Sequence, residues 1–170
     1  MKTPNVNKTI LATILVAVGL LGFMWWGKSI QETAATSGGA GAISALTASE
    51  KLYNFGAISM KNGKVTKEFT VTNPGDGDIF IRSLVTSCMC TSAFIVEPDG
   101  NTKGPFGMPG MGYVPPANET IQPGESRVIR VVFDPNAHGP AGVGVIDRVV
   151  TLTDKSGGEL QLEIKAIVTP

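Results

Sequence analysis

Beyond about residue 50, apolar and polar positions alternate with a period of two, the mark of a half-buried strand. In VTKEFTVTN, Val65, Phe69 and Val71 fall on one face, and Thr66, Glu68, Thr70 and Thr72 on the other. Lys67 is the one misfit on the apolar face. NPGDGD follows at Asn73 to Asp78 and reads as a turn, and IFIRSLV resumes a strand from Ile79 to Val85. SRVIRVVFD alternates Ile129, Val131 and Phe133 with Val128, Arg130 and Val132, so most of both faces should be covered. VIDRVVTLT and ELQLEIKAIV complete the set, joined through DKSGGE as a hairpin. In the last segment Leu160, Leu162, Ile164 and Ala166 alternate with Gln161, Glu163 and Lys165. With KLYNFGAIS at the start and a short strand over 91–96, about seven strands are predicted. Phe69, Val71, Ile129, Val131, Phe133, Leu152, Leu162 and Ile164 hold the apolar phase and should form the core.

No helical period competes over this stretch. Seven short strands in roughly 120 residues predict an all-β, immunoglobulin-like β-sandwich over 50–170. One segment breaks the rhythm: EPDGNTKGPFGMPGMGYVPPANETIQ, at 97–122, holds five prolines and no alternation. It is expected to be a long loop, and loops of that length inside a compact domain usually carry function or are disordered.

The N-terminus has a different pattern. ILATILVAVGLLGFMWW, from Ile10 to Trp26, carries no charge. At 1.5 Å per residue it is about 25 Å long, near the lower limit for a bilayer span. Trp25 and Trp26 close it where indole rings favour the membrane interface, and Lys2 and Lys8 precede it. The expected arrangement is a cytoplasmic 1–9, an N-terminal transmembrane helix over 10–27, a flexible linker rich in Gly, Ala, Ser and Thr over 28–49, and a domain outside the cytoplasm. A cleaved signal sequence ending near Thr33-Ala34-Ala35 is the alternative, and it leaves the export unchanged. Either way the domain lies at the cell membrane or envelope, in a compartment where disulfides persist.

Composition narrows the function. Lys plus Arg and Asp plus Glu both number 14, so no basic face for nucleic acid is implied. The 21 glycines and 11 prolines suit a turn-rich β domain. No Gly-rich loop stands between a strand and a helix, which argues against a nucleotide site. With a single histidine and no nucleophile–base–orienter set, the chain is not expected to be an enzyme.

The punctuation resembles a known family. FGAIS, then FTVTNPGDGDIFIRSL, SCMCT, IQPGESRVIRVVFDP and LEIKAIV follow in order over about 52–168. This is similar to a bacterial immunoglobulin-like family of unknown function with FG-x-I and S-C-G-C-T motifs, itself similar to Hydin-type and major-sperm-protein-like sandwiches. The resemblance implies a β-sandwich and no established activity. Met89 stands where the family has its middle glycine, and 97–122 is longer than the family leads one to expect.

Cys88 and Cys90 are the only cysteines. Residues i and i+2 of a strand face the same side with Cα atoms about 6.5 Å apart, near the long limit for a disulfide. A Cys88–Cys90 bond therefore needs a kink, and it would be strained and readily reduced. As thiolates the pair would suit a soft metal, with Met108 and Met111 of GMPGMG as thioether ligands and Cu(I) as the ion. Met89 would point away from both thiols on a regular strand. His138 in PNAHGPAG could join, although a lone histidine in a Gly/Pro-rich turn is ordinarily just solvated. The plainest alternative makes both cysteines small, largely buried residues at the sandwich edge. The primary expectation is a binding or structural module that engages other envelope proteins through a sheet edge or the long loop. The alternative is a copper-handling or thiol-redox protein.

Overall fold

The structure, a computed structural model, describes residues 42–170. The proposed membrane segment and most of the linker lie outside the described residues. Among those that are described, no helix is long and apolar enough to cross a membrane.

Among the described residues, ten strands form two five-stranded sheets. In chain order they are β1 (Thr47–Ala48), β2 (Leu52–Ser59), β3 (Val65–Thr72), β4 (Ile79–Thr86), β5 (Thr91–Val96), β6 (Thr102–Phe106), β7 (Glu119–Ile121), β8 (Ser126–Phe133), β9 (Gly144–Asp154) and β10 (Glu159–Thr169). One sheet runs β1-β3-β8-β5-β6 and the other β2-β10-β9-β4-β7. β2 lies parallel to β10; the other pairs are antiparallel. The seven strands read from alternation are β2, β3, β4, β5, β8, β9 and β10.

The core follows the predicted phase. Phe69, Val71, Ile129, Val131, Phe133, Leu152, Leu162 and Ile164 are all buried in one cluster that both sheets contribute to. Lys67 keeps its apolar phase by adaptation. Its ammonium lies 4.1 Å from the centroid of the Tyr53 ring and 2.5 Å from Glu50 Oε1. The stem covers apolar surface while the charge finds a π-face and a carboxylate.

Two expectations need correction. The fold begins before Glu50: Leu46 is buried, β1 pairs with β3, and the Ser44 hydroxyl donates to Asp154. The segment 97–122 is not a single loop, because β6 and β7 lie within it and extend opposite sheets. Both are too short, at five and three residues, to show an alternation; pairing with β5 and β4 defines them. Two glycines at irregular points of the chain, Gly56 (φ 70°) and Gly124 (φ 75°), take positive φ. Gly56 sits where the β2–β10 register slips by one residue, so FGAIS encodes a bulge. Gly124 follows Pro123 in a turn closed by Glu125 N–H to the Gln122 carbonyl, where a left-handed third residue is required.

Candidate functional site

The two cysteines lie in the connection that carries the chain from one sheet to the other, between β4 and β5. They are not on a strand. The Thr91 N–H donates to the Cys88 carbonyl at 3.1 Å and closes a tight turn. This turn brings the Cys88 and Cys90 Cα atoms to 5.3 Å, inside the range a disulfide spans. The pair is joined as a disulfide. Thr86, buried at the end of β4, places its hydroxyl 3.1 Å from the Cys88 carbonyl and 3.0 Å from that of Thr91. The Asp134 N–H donates to the Cys90 carbonyl at 2.8 Å, tying the turn to the end of β8.

Each sulfur meets a nitrogen from a distant part of the chain. His138 Nε2 lies 3.3 Å from Cys88 Sγ. A disulfide sulfur has no proton to give, so the imidazole N–H is the donor. His138 is carried by the connection from β8 to β9. There Asp134 Oδ1 accepts from the Asn136 N–H, and Asn136 Nδ2 donates to the Met60 carbonyl. On the other side Arg148 Nε of β9 donates to Cys90 Sγ at 3.2 Å, and its Nη1 donates to the Asp147 carbonyl at 2.7 Å. Ser87 exchanges hydrogen bonds with Val149, which extends the β4–β9 ladder up to the turn and fixes Arg148 against it.

The two sulfurs differ in exposure. Cys90 is 3% exposed, whereas Cys88 is half-buried and its histidine partner is at the surface. Cys90 thus fits the small buried residue of the plainest reading. Cys88 does not, since it presents one face of the disulfide outward.

Of the predicted metal ligands, the structure brings Cys88 and Cys90 together. The donor it sets beside them is His138, and the three ligating atoms lie within 4.8 Å of one another. Met108 is half-buried and Met111 exposed, in a turn after β6 where the Met111 N–H donates to the Met108 carbonyl. Arg148 escaped sequence reasoning altogether. It occupies an ordinary position in an alternating strand, and only the β4–β9 register reveals its neighbour.

A second polar cluster sits away from the disulfide. Glu119, buried on β7, receives Lys103 of β6 on Oε2 and Arg127 of β8 on Oε1, both at 2.5 Å. Burial pushes the Glu119 carboxyl up, but the two hydrogen bonds and charges more than reverse this and hold it below its ordinary value. The hydrogen bond to Glu119 is the main reason the Lys103 ammonium is raised. All partners are mutually satisfied, so the cluster reads as a clamp between the sheets.

Residues 46–99 match a family described as a protein of unknown function (DUF1573). That stretch includes FGAIS and both cysteines and ends before His138 and Arg148. No curated protein matches the chain. Among solved structures, a protein of unknown function from Porphyromonas gingivalis W83 is similar at 17% identity and a TM-score of 0.51, over 79% of this chain and 50% of that one. A family 123 glycoside hydrolase from Clostridium perfringens is similar at 6% identity and a TM-score of 0.53, over 74% of this chain and 27% of that one. The chain thus spans half or less of the length of these two proteins. At such identities the likeness is one of fold, and it agrees with the two-sheet architecture.

Proposed function

We infer that this β-sandwich is a thiol–disulfide exchange module, tethered to the membrane and exposed outside the cytoplasm, whose reacting group is the Cys88–Cys90 pair. One observation carries the reading: each sulfur has a hydrogen-bond donor of its own, His138 for Cys88 and Arg148 for Cys90, within 3.3 Å. A disulfide kept only for stability has little use for such neighbours. Closing so small a ring removes almost no entropy from the unfolded chain. A nitrogen donor or cation beside a sulfur stabilises the thiolate that reduction creates.

The asymmetry assigns the steps. An incoming thiolate attacks the accessible Cys88 sulfur, forms a mixed disulfide there, and expels Cys90 as a thiolate beside the Arg148 guanidinium. A second thiolate then attacks the partner's own sulfur and releases Cys88 as a thiolate beside His138. Two thiols leave as one disulfide, and the protein holds the two electrons. The reverse sequence oxidises the protein. Exchange of this kind needs no nucleophile–base–orienter set, and the absence of one from the sequence does not count against it. The partners are thiols or disulfides of other envelope proteins, and the residues that resemble the S-C-G-C-T motif form the reacting turn. The tether and export rest on the charge order around the apolar run and on an oxidised cysteine pair.

The test is the equilibrium reduction potential of the full chain in detergent, read by thiol trapping in glutathione buffers. A value above about −250 mV is expected, since structural disulfides lie below about −300 mV. A value below the latter would overturn the proposal.

A further inference from the structure

We propose that, once reduced, Cys88, Cys90 and His138 form a three-coordinate site for a soft monovalent metal ion, Cu(I), with Arg148 balancing its charge. This rests on the pair being reducible, but it assigns the site a second state that thiol exchange does not require.

The geometry comes first. The three donor atoms lie within 4.8 Å of one another. Metal–donor bonds of about 2.0–2.3 Å place three trigonal donors about 3.5–4 Å apart, which falls inside that span. Reduction lets the two sulfurs move to that separation while the turn keeps the Cα atoms 5.3 Å apart. His138 sits in a short 3₁₀-flanked loop at the surface, so its ring can follow the sulfurs.

Donor type and charge then select the ion. Thiolate sulfur prefers Cu(I) over the hard divalent ions. Zinc in a structural site takes four ligands, and the cluster supplies three. The chemistry balances as follows. A dithiol donates two electrons and two protons to the disulfide and leaves as its own disulfide. Binding of one Cu(I) then displaces both cysteine protons. The resulting two thiolates and one cuprous ion carry a net charge of −1, which the Arg148 guanidinium beside Cys90 neutralises. With a divalent ion the site would already be neutral, and the Arg148 guanidinium beside Cys90 would have no charge to balance.

The experiment uses the full chain in detergent, reduced with a phosphine and freed of it under anaerobic conditions. Free thiols are counted before Cu(I) is titrated against a competing Cu(I) chelator. Two thiols per chain and one bound Cu(I) are expected. Cys88→Ser and Cys90→Ser should each weaken binding at least a hundredfold, and His138→Ala about tenfold, with Met108→Leu and Met111→Leu unchanged. Two thiols without copper binding would overturn this inference and leave thiol exchange standing, whereas a pair that resists the phosphine in the folded chain would overturn both. Loss of affinity in the methionine variants with none in His138→Ala would move the third ligand to the loop and contradict the site described. Zn(II) competing on equal terms with Cu(I) would contradict the selection of a soft monovalent ion.

Discussion

Arg148 and Cys90 meet at 3.2 Å across the β4–β9 junction, 58 residues apart in the chain, with the guanidinium Nε donating to a buried sulfur. A cation in that position lowers the energy of a thiolate and not of a disulfide. It should therefore raise the reduction potential of the pair. Arg148→Met keeps an unbranched stem and removes the charge. The potential of this variant should fall by about 30 mV or more, a tenfold change in the two-electron equilibrium. A potential equal to that of the wild type would mean that the guanidinium only packs against the sulfur.

The Ser44 hydroxyl donates to Asp154 Oδ2 at 2.7 Å, and the other carboxylate oxygen receives the Ser156 and Gly158 N–H groups. A β-carbon at Gly158 would lie 2.6 Å from Asp154 Oδ2 and 2.8 Å from Ser44 Cα. The entering chain is thus clasped to the β9–β10 hairpin with no room to spare. Ser44→Ala should cost about 1–3 kcal/mol. Gly158→Ala should free residues 42–48 to exchange amide hydrogens and be cut by proteases, while the central strands stay protected. Unchanged protection at 42–48 in both variants would show that the clasp does not hold this segment.

Acid should reach the domain through Glu119. Its carboxyl is depressed in the folded chain by Lys103 and Arg127, which overcome its burial. A depressed carboxyl adds stability that is fully present above the unfolded value of about 4.3 and is lost as pH falls through the lower, folded value. Denaturation midpoints should accordingly be flat near neutrality and drop below about pH 4. Glu119→Gln should lower stability by about 2–4 kcal/mol at pH 7, because two cations lose their counter-charge, and should flatten part of the acid slope. An acid slope unchanged by the substitution would place the sensitivity elsewhere, with Asp154 the next carboxyl to examine.

The core is the part of the molecule that the sequence makes legible. Phe133 is buried at the β8 edge of the cluster, as its alternation with Val132 predicts. Phe133→Ala should therefore cost about 3–5 kcal/mol in reversible denaturation. A loss below about 1 kcal/mol would mean that the site collapses around the smaller side chain. Strands long enough to show a period of two were readable because one face must be dry. β1, β6 and β7 were not, since two to five residues define no period and their pairing partners lie elsewhere in the chain. The Cys-x-Cys spacing is plain in the sequence, but the turn that closes the pair depends on Thr86, Thr91 and Asp134, which the local pattern does not bring together. A lone histidine in a Gly/Pro-rich turn such as PNAHGPAG carries no local sign of whether His138 is solvated or joins the cysteines. Its placement beside Cys88 depends on the β8–β9 connection folding over the β4–β5 crossing, a relationship no local pattern carries.

The central claim is that Cys88 and Cys90 divide the exchange reaction: accessible Cys88 is the sulfur attacked on reduction and the thiolate that attacks on oxidation, and buried Cys90 is the sulfur that leaves on reduction. Single-cysteine chains test this directly. Cys90→Ser leaves the half-buried Cys88 with His138, and Cys88→Ser leaves Cys90 beneath the turn with Arg148. Each variant, as the full chain in detergent, is mixed with glutathione disulfide, and the single glutathione adduct is followed by intact mass over time. The account predicts that Cys90→Ser forms its adduct at least ten times faster than Cys88→Ser. Equal rates, a faster Cys88→Ser, or two thiols that both stay unmodified while the chain is folded would contradict it.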